Sequence, residues 1–410
     1  MRSTRLSIAL VLLCAAAIRL VEAADDPASS AAKASLARIE ALRKERAGDG
    51  LLVFYEAITR VALGERAKAF DLLRSLKGRK LGLIPVRDTG FDAVWEDPEF
   101  QKIRAELAAA EPETPAAPVA FRLGDPKLIP EGIAHAEEGD RFFIGSIAQR
   151  KIIVANKKGE ARDFSKPSDK LEAVLGLAID AERGHLYAVS TNGFLDEAKK
   201  ERRNRVARYD LKTERLLNRF DAPEALQLND VAMAADGTLY ATDSMGGTLF
   251  RMKPDEETLK PFGEKGELRG ANGIALGADG ALYVTLSTGI ARVDTVTGKP
   301  RRLPQPDSVV TGGVDGLYWD RGDLIGIQNS SNPGRVVRIA LEEKGNRISG
   351  LTVLQSHHQP DFDEPTTGVI ADGKLYVIAN SSVGHYQPDG TIKNGDALKE
   401  TTIVAVPLKR

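Results

Sequence analysis

Cysteine is nearly absent. Cys14 is the single one in 410 residues, and it falls inside a stretch that reads as a cleaved leader, so the mature chain would have none. Disulfides, thiolate nucleophiles and thiolate metal sites are thereby excluded. A surplus of charge is also missing. The 57 Lys and Arg residues against 58 Asp and Glu leave a formal net charge of -1, which gives no general attraction to nucleic acid or to an anionic membrane. No Gly-x-Ser-x-Gly elbow and no phosphate-binding glycine loop occur, so two common catalytic platforms have no sequence support.

What is present begins with a leader. Arg2 and Arg5 precede an apolar run over residues 6–18, and Val21-Glu22-Ala23 follows with small residues in the cleavage pattern. The run is too short to span a bilayer comfortably, and Arg19 is an atypical interruption. The pattern predicts a signal peptide over residues 1–23 and an exported protein, periplasmic or secreted, with no membrane span. Cys14 follows Val11-Leu12-Leu13 and lacks the small residue that a lipoprotein signal places before its cysteine.

Residues 25–110 carry helical patterning. Leu36, Ile39 and Leu42 have helical spacing. Residues 51–63 and 65–76 predict two helices around Gly64, and Pro98 fits the first turn of another. The series Tyr55, Ala57, Ala62-Leu63-Gly64, Ala67, Ala69, Leu72-Leu73 resembles one tetratricopeptide repeat, which implies a small helical domain able to dock on a neighbouring unit or a protein partner. One copy does not make a superhelical array. Residues 111–118 lie in a Pro- and Ala-rich stretch and read as a semi-rigid linker.

From residue 119 to 410 the pattern changes to short β-type segments between Gly, Asp and Asn turns. One unit repeats six times: a polar or variable residue, a Gly or Asp, two or three apolar positions, a turn, and a second strand. Asn272-Gly273-Ile274-Ala275 with Leu282-Tyr283-Val284-Thr285 is an example. The first positions are Glu131, Leu175, Asn229, Asn272, Asp315 and Thr367, a period near 45 residues that suits a four-stranded blade. The predicted fold is an all-β six-bladed propeller preceded by the small helical domain. Its last blade would be completed by the strand near residues 119–123 together with the C-terminal one, leaving no open edge.

In such a ring the first residue of every copy stands at the same height on one face. Glu131, Asn229, Asn272 and Asp315 would bring two carboxylates and two amide carbonyls to one axis. Each Asn or Asp before Gly is a turn residue by itself. Together they would repel without a counter-ion, and an all-oxygen set suits a hard divalent cation, calcium first. With no His or Cys in the set, zinc and copper are less suited.

These motifs carry a resemblance. Pro130-Glu131-Gly132, Leu228-Asn229-Asp230, Ala271-Asn272-Gly273-Ile274 and Val314-Asp315-Gly316 are similar to the metal-site motifs of the gluconolactonase family, which includes senescence marker protein and luciferin-regenerating enzyme, with paraoxonases as more distant relatives. The resemblance spans roughly residues 120–410. It implies that Glu131, Asn229, Asn272 and Asp315 hold one divalent cation, with Ca2+ favoured and Zn2+, Mn2+ or Mg2+ as alternatives. It also implies that Asp315 is the catalytic base in hydrolysis of a small-molecule lactone or ester. The family's sugar-lactone enzymes carry a basic residue two positions before the second ligand; here Gln227 stands there, which puts gluconolactone itself in doubt.

Other candidates are substrate-binding or supporting residues. His135 could line the channel below the ion or be a hydrogen-bonded core histidine. Asp230, Thr367 and Asn329 could support the ligands. His357 and His358, near Asp361, Asp363 and Glu364, could form a rim relay or a second metal site, or simply a solvated loop. The stretch 195–208 is rich in basic residues but diluted by Asp196, Glu197 and Glu201, which favours a solvated insertion over an anion-binding patch. A non-catalytic binding propeller with a structural ion and a helical partner-docking unit is the alternative to a hydrolase. A different metal-assisted reaction, an isomerisation or lyase step, also remains open.

Overall fold

The structure is a computed structural model that describes residues 27–409. The predicted signal peptide, 1–23, and Cys14 lie outside the described residues.

Four α-helices form the N-terminal unit among the described residues: α1 (Pro27–Glu45), α2 (Gly50–Ala62), α3 (Arg66–Ser75) and α4 (Pro98–Ala109). Asp49 caps α2 by accepting from the Leu51 N–H at 3.0 Å, and Asp97 caps α4 by accepting from the Glu99 N–H at 2.9 Å, with Pro98 in the first turn. Helix α2 is apolar on nearly every side, which marks a helix enclosed all round rather than a surface helix. Leu51, Phe54, Ala57 and Ile58 pack with Phe70, Leu73, Phe91 and Phe100 in one cluster, which also takes in Val310 from the propeller. The hairpin α2–α3 is single, flanked by α1 and α4, and no tetratricopeptide repeat is evident among the described residues.

Six four-stranded antiparallel sheets follow, one per blade. Their innermost strands are Pro130–Ala136, Ala173–Asp180, Leu228–Met233, Ile274–Leu276, Val314–Asp320 and Gly368–Ala371, in blades 1 to 6. Blade 6 is completed by Val119–Leu123, which pairs with the C-terminal strand Thr401–Pro407 through partners such as Phe121 and Ile403. The ring is therefore closed by its own two ends, and no blade edge is left as a gap.

The core is divided into six wedges between neighbouring blades, and the one between blades 2 and 3 also takes in Ile129 and Ile147 of blade 1 and Tyr386 of the blade 6 loop. The wedge between blades 6 and 1 is representative: Phe142 lies with its ring 5.0 Å from Phe121 and 5.0 Å from Tyr376. Alternating strand residues feed the wedges on both faces of each sheet, so the strands read as short apolar runs rather than strict alternation.

The inner strands are irregular at their first residues. Register shifts fall at Pro130/Ile133, Val174/Leu177, Leu228/Val231 and Val314/Leu317. A bulge there turns consecutive side chains away from the ladder. Glycine is needed at this height because adjacent inner strands nearly touch. A Cβ on Gly132 would stand 1.9 Å from the Leu175 carbonyl oxygen, and one on Gly273 would stand 2.2 Å from that of Asp315.

The helical domain docks on the same face of the ring. Tyr55 donates its hydroxyl to the Ser287 carbonyl at 2.9 Å, the Ile84 N–H donates to Ser331 O at 3.1 Å, and Arg79 donates to Asp307 O at 3.0 Å. These acceptors lie on loops of blades 4 and 5 that open beside the starts of the inner strands. The linker is held too: the Ala117 N–H donates to Gln355 at 2.7 Å, and the Ser356 N–H donates to the Thr114 hydroxyl at 2.8 Å.

Candidate functional site

Glu131, Asn229 and Asp315 are the second residues of the inner strands of blades 1, 3 and 5, and Asn272 stands two residues before that of blade 4. Glu131, Asn229 and Asp315 are buried and Asn272 is half-buried. Each is fixed from behind. Asn329 donates from Nδ2 to Asp315 Oδ2 at 2.5 Å and to the Pro365 carbonyl at 2.9 Å. Asn229 Nδ2 donates to Ser244 Oγ at 2.8 Å, and that hydroxyl donates on to Ala271 O at 2.5 Å. With its amide nitrogen engaged, Asn229 has its carbonyl oxygen left as an acceptor. Thr242 donates its hydroxyl to the backbone carbonyl of Asn272 at 2.7 Å. Thr367 donates its hydroxyl to the backbone carbonyl of Glu131.

Two oxygens are left over. Glu131 Oε2 and Asp315 Oδ1 are buried and have no hydrogen-bond partner among the described residues. Buried polar atoms are almost always paired, and an unpaired carboxylate oxygen is costly. The electrostatics agree. Burial pushes the Glu131 carboxyl well above its ordinary range, and the nearby Asp315 charge adds to that, with Asp230 and Glu364 contributing further. Burial pushes Asp315 up to about 7 against the hydrogen bonding of Asn329 and Asn272, which pulls it down. Two orphaned carboxylate oxygens with two amide side chains form a donor set that fits a hard divalent cation. Among the described residues no three His, Cys, Asp or Glu side chains converge on such a site; this set has only two carboxylates, its remaining donors being amides.

The other predicted residues divide. Asn329 and Thr367 support the set directly. Asp230 occupies the position that is glycine in most copies and stitches blade 3 to blade 4: it accepts from the Val231 N–H at 2.8 Å and the Ile274 N–H at 3.2 Å. Burial nonetheless raises its pKa to about 7, with Asp315 adding. Gln227 is buried beside Asn229, its N–H donating to Asp243 Oδ1 at 2.9 Å. Asp243 also accepts from Leu226 and Gly246, so it organises two loops.

His135 is not part of the site. Its Nε2 lies 2.8 Å from Asp140 Oδ1 and its ring packs on Phe142 at 4.6 Å, at the hairpin end of the strand that begins beside Glu131. The pleat carries it outward after the bulge. The rings of His357 and His358 lie 4.0 Å apart, tilted by 35°, and no third ligand joins them among the described residues. Half of the basic residues of 195–208 are paired locally: Lys199 with Asp196, Arg203 with Glu172, Glu197 and Glu201, and Arg205 with Asp221.

Three neighbours were not read from the sequence as neighbours of this set, Glu364 having been placed only beside His357 and His358. Tyr318, half-buried on the inner strand of blade 5, accepts from the Gly368 N–H at 2.6 Å. Burial drives its pKa far upward, and the charges of Asp230, Asp315 and Glu131 add to the shift. Thr366 stands beside the Glu131 carboxyl. Glu364, whose Oε2 accepts from the Gly384 N–H at 3.0 Å, is raised in pKa by burial first, with the charge of Asp88 adding, and its own charge adds to the shift of Glu131. Only Tyr318 had a sequence signal, three residues after Asp315 in a copy of the repeat, and the bulge was needed to aim it.

The rim above this ring is built from insertions. The loop after Lys374–Ile378 reaches across to blade 2, where the Asp196 N–H donates to Pro388 O at 2.7 Å and Phe194 meets Tyr386 edge-on at 5.8 Å.

No protein-family model matches the chain, and no curated protein matches it. Solved structures do. An oxidoreductase described as a glucose dehydrogenase from Thermus thermophilus is 17% identical, with 71% of this chain and 99% of that one covered and a TM-score of 0.50. A PQQ-bound aldose sugar dehydrogenase from Streptomyces coelicolor is 17% identical over 72% of this chain and 99% of that one, with a TM-score of 0.49. A gluconolactonase from Xanthomonas campestris is 17% identical over the same shares, 72% and 99%, with a TM-score of 0.47. At these identities the likeness is one of fold alone, and it rests on the first of the three.

Proposed function

We propose that this protein is an exported, metal-assisted hydrolase of lactones or related esters, working at the ring of Glu131, Asn229, Asn272 and Asp315. The observation that carries the reading is the pair of buried, unpartnered oxygens, Glu131 Oε2 and Asp315 Oδ1, on carboxyl groups near enough for the Asp315 charge to raise the pKa of Glu131. Those two carboxylates and the Asn229 and Asn272 carbonyls would hold the cation, calcium first. When bound, such an ion stabilises negative charge that develops on an attacked carbonyl oxygen.

The chain's own residues do the rest. Asn329 holds Asp315 Oδ2 and so orients the carboxylate, whose Oδ1 would present one lone pair to the ion and keep a second able to take the proton of an attacking water. Thr367 fixes the Glu131 backbone and Ser244 fixes Asn229, so that the donors converge without rearranging. The inserted loops and the helical domain narrow access from the rim, which favours a small molecule over a polymer. The predicted signal over residues 1–23 supports export.

The test is hydrolysis of a panel of lactones and aryl esters by purified protein, first chelated and then resupplied with calcium, zinc, manganese or magnesium. Turnover restored by metal and reduced at least about 100-fold in Asp315→Ala is the expected result. Stoichiometric metal binding with no turnover on any substrate would replace this reading with a binding propeller whose ion is structural.

A further inference from the structure

The helical domain reaches the candidate site through one buried arginine. Arg335 opens the third strand of blade 5, Arg335–Glu342, and is 4% exposed. Its guanidinium makes contacts in two directions. Toward the helical domain, Nη2 donates to the Leu81 carbonyl at 2.9 Å, and Nη1 lies 3.4 Å from Glu111 Oε2. Toward the propeller, Nε donates to Gln328 Oε1 at 2.8 Å. Gln328 ends the preceding strand, and its Nε2 donates to Val310 O at 3.1 Å and Gly312 O at 2.9 Å.

Gln328 and Arg335 are the two feet of a six-residue loop, 329–334. That loop carries Asn329, whose amide holds Asp315. It is also gripped from above, where the Ile84 N–H donates to Ser331 O at 3.1 Å. The fit is tight. Gly82 has a positive φ of 74°, and a Cβ there would stand 2.1 Å from the Arg335 guanidinium carbon. The Gly82 N–H donates to the other oxygen of Glu111 at 2.6 Å, so Glu111 joins backbone and guanidinium in one unit. A buried arginine is well suited to this task because its planar fork serves several acceptors at once.

We propose that the helical domain is a working part of the site: through Arg335 it holds loop 329–334, and so the Asn329–Asp315 hydrogen bond, in the geometry that binds the ion. Arg335 is a positioning residue and touches none of the four candidate ligands. The claim about the ion rests on the reading given under Proposed function; the claim about the loop does not.

Two readouts separate them. Hydrogen exchange on the metal-free protein reports the loop. Arg335→Lys keeps a charge for Glu111 and loses the fork, so exchange should quicken at 329–334 and at 313–315, while Arg66→Gln, which removes ion pairs to Asp97 and Glu99 inside the helical domain, should leave those amides unchanged. Calorimetric titration with calcium reports the site. Arg335→Lys and Asn329→Ala should each weaken binding roughly tenfold, as loss of a group supporting a ligand typically does. The double variant should bind no worse than Asn329→Ala, since both act on one link. If Arg335→Lys does not fold, Glu111→Gln, which retains one acceptor and loses the charge, serves in its place with a weaker effect of the same sign, about threefold. Unchanged exchange in the loop, or effects that multiply in the double variant, would overturn the proposal. A wild-type protein that binds no divalent cation while the loop responds as stated would count against the metal reading and leave the coupling in place.

Discussion

Two carboxyl groups buried at one axis resist ionising together, and that resistance has a measurable sign. The folded state raises Asp315 to about 7 from an ordinary 3.8, and raises Glu131 well above 4.5. Between those ordinary values and about pH 7, the folded metal-free protein keeps protons that the unfolded chain has shed. Its stability therefore falls as pH rises through this window. A bound cation reverses the balance by favouring the ionised pair, so calcium should raise the melting temperature more at about pH 7.5 than at about pH 5. The difference should largely vanish in Asp315→Asn, which removes one of the charges. Equal calcium increments at both pH values would count against the pair as the ion's seat. The four proposed ligands were legible because each opens a copy of the repeat, and a propeller sets equivalent positions at equal height. The place of His135 was not legible, for a reason of the same kind. The bulge at Pro130/Ile133 changes which face the following residues take, and a bulge has no signature in a dipeptide such as Glu131-Gly132. Asp230 was legible as a neighbour of the site, but its bond to the Ile274 N–H depends on the next blade, 44 residues on.

Elements were easier to read than residues. Six copies of a two-strand signature revealed the blades, and the hairpin turn Asp372-Gly373, with φ of 50° and 68°, has the backbone its residue types predict. Less visible was why Gly follows the first residue of most copies. As a turn residue it would tolerate replacement by Ala at modest cost. The structure gives a different reason, since the glycine lets one inner strand pass the next within contact of its backbone. Gly132→Ala should therefore destabilise the protein by about 3 kcal/mol, the upper end of ordinary overpacking, because its Cβ would meet the Leu175 carbonyl, which belongs to a rigid neighbouring strand. Gly350→Ala is the control. It lies within the outer strand Arg347–Gln355 with nothing within 4 Å of the added Cβ, and should shift stability by less than about 1 kcal/mol. Denaturant unfolding of the two variants checks this, and similar losses in both would show that close approach is not what the glycine serves.

At the scale of the whole molecule, two domains that the sequence separates by a Pro-rich stretch are joined by buried polar groups. The interface includes Arg335 and Glu111, and a small cavity of about 10 Å³ lined by Gly82, Glu111, Asn332, Arg335, Ser356 and His357. His357 gives the junction a pH dependence opposite to that of the carboxyl pair. Burial lowers its pKa from 6.5 to about 4, and the charges of His358, Arg335 and Arg104 push the same way; Glu111 lies across the same cavity. The docked state thus holds His357 neutral. As pH falls from about 6.5 toward 4, the unfolded chain takes up a proton that the docked imidazole refuses, and stability contributed by the docked form is lost. His357→Gln keeps polar capacity and cannot take the proton, so its melting temperature should fall less than that of the wild type between about pH 7 and about pH 4.5. The comparison should be made with calcium in excess, where the slope from Glu131 and Asp315 is suppressed. Their slope has the opposite sign and would otherwise mask the histidine. A variant that loses stability over that range as steeply as the wild type would assign the acid sensitivity elsewhere, and the interface would then join the domains without sensing pH.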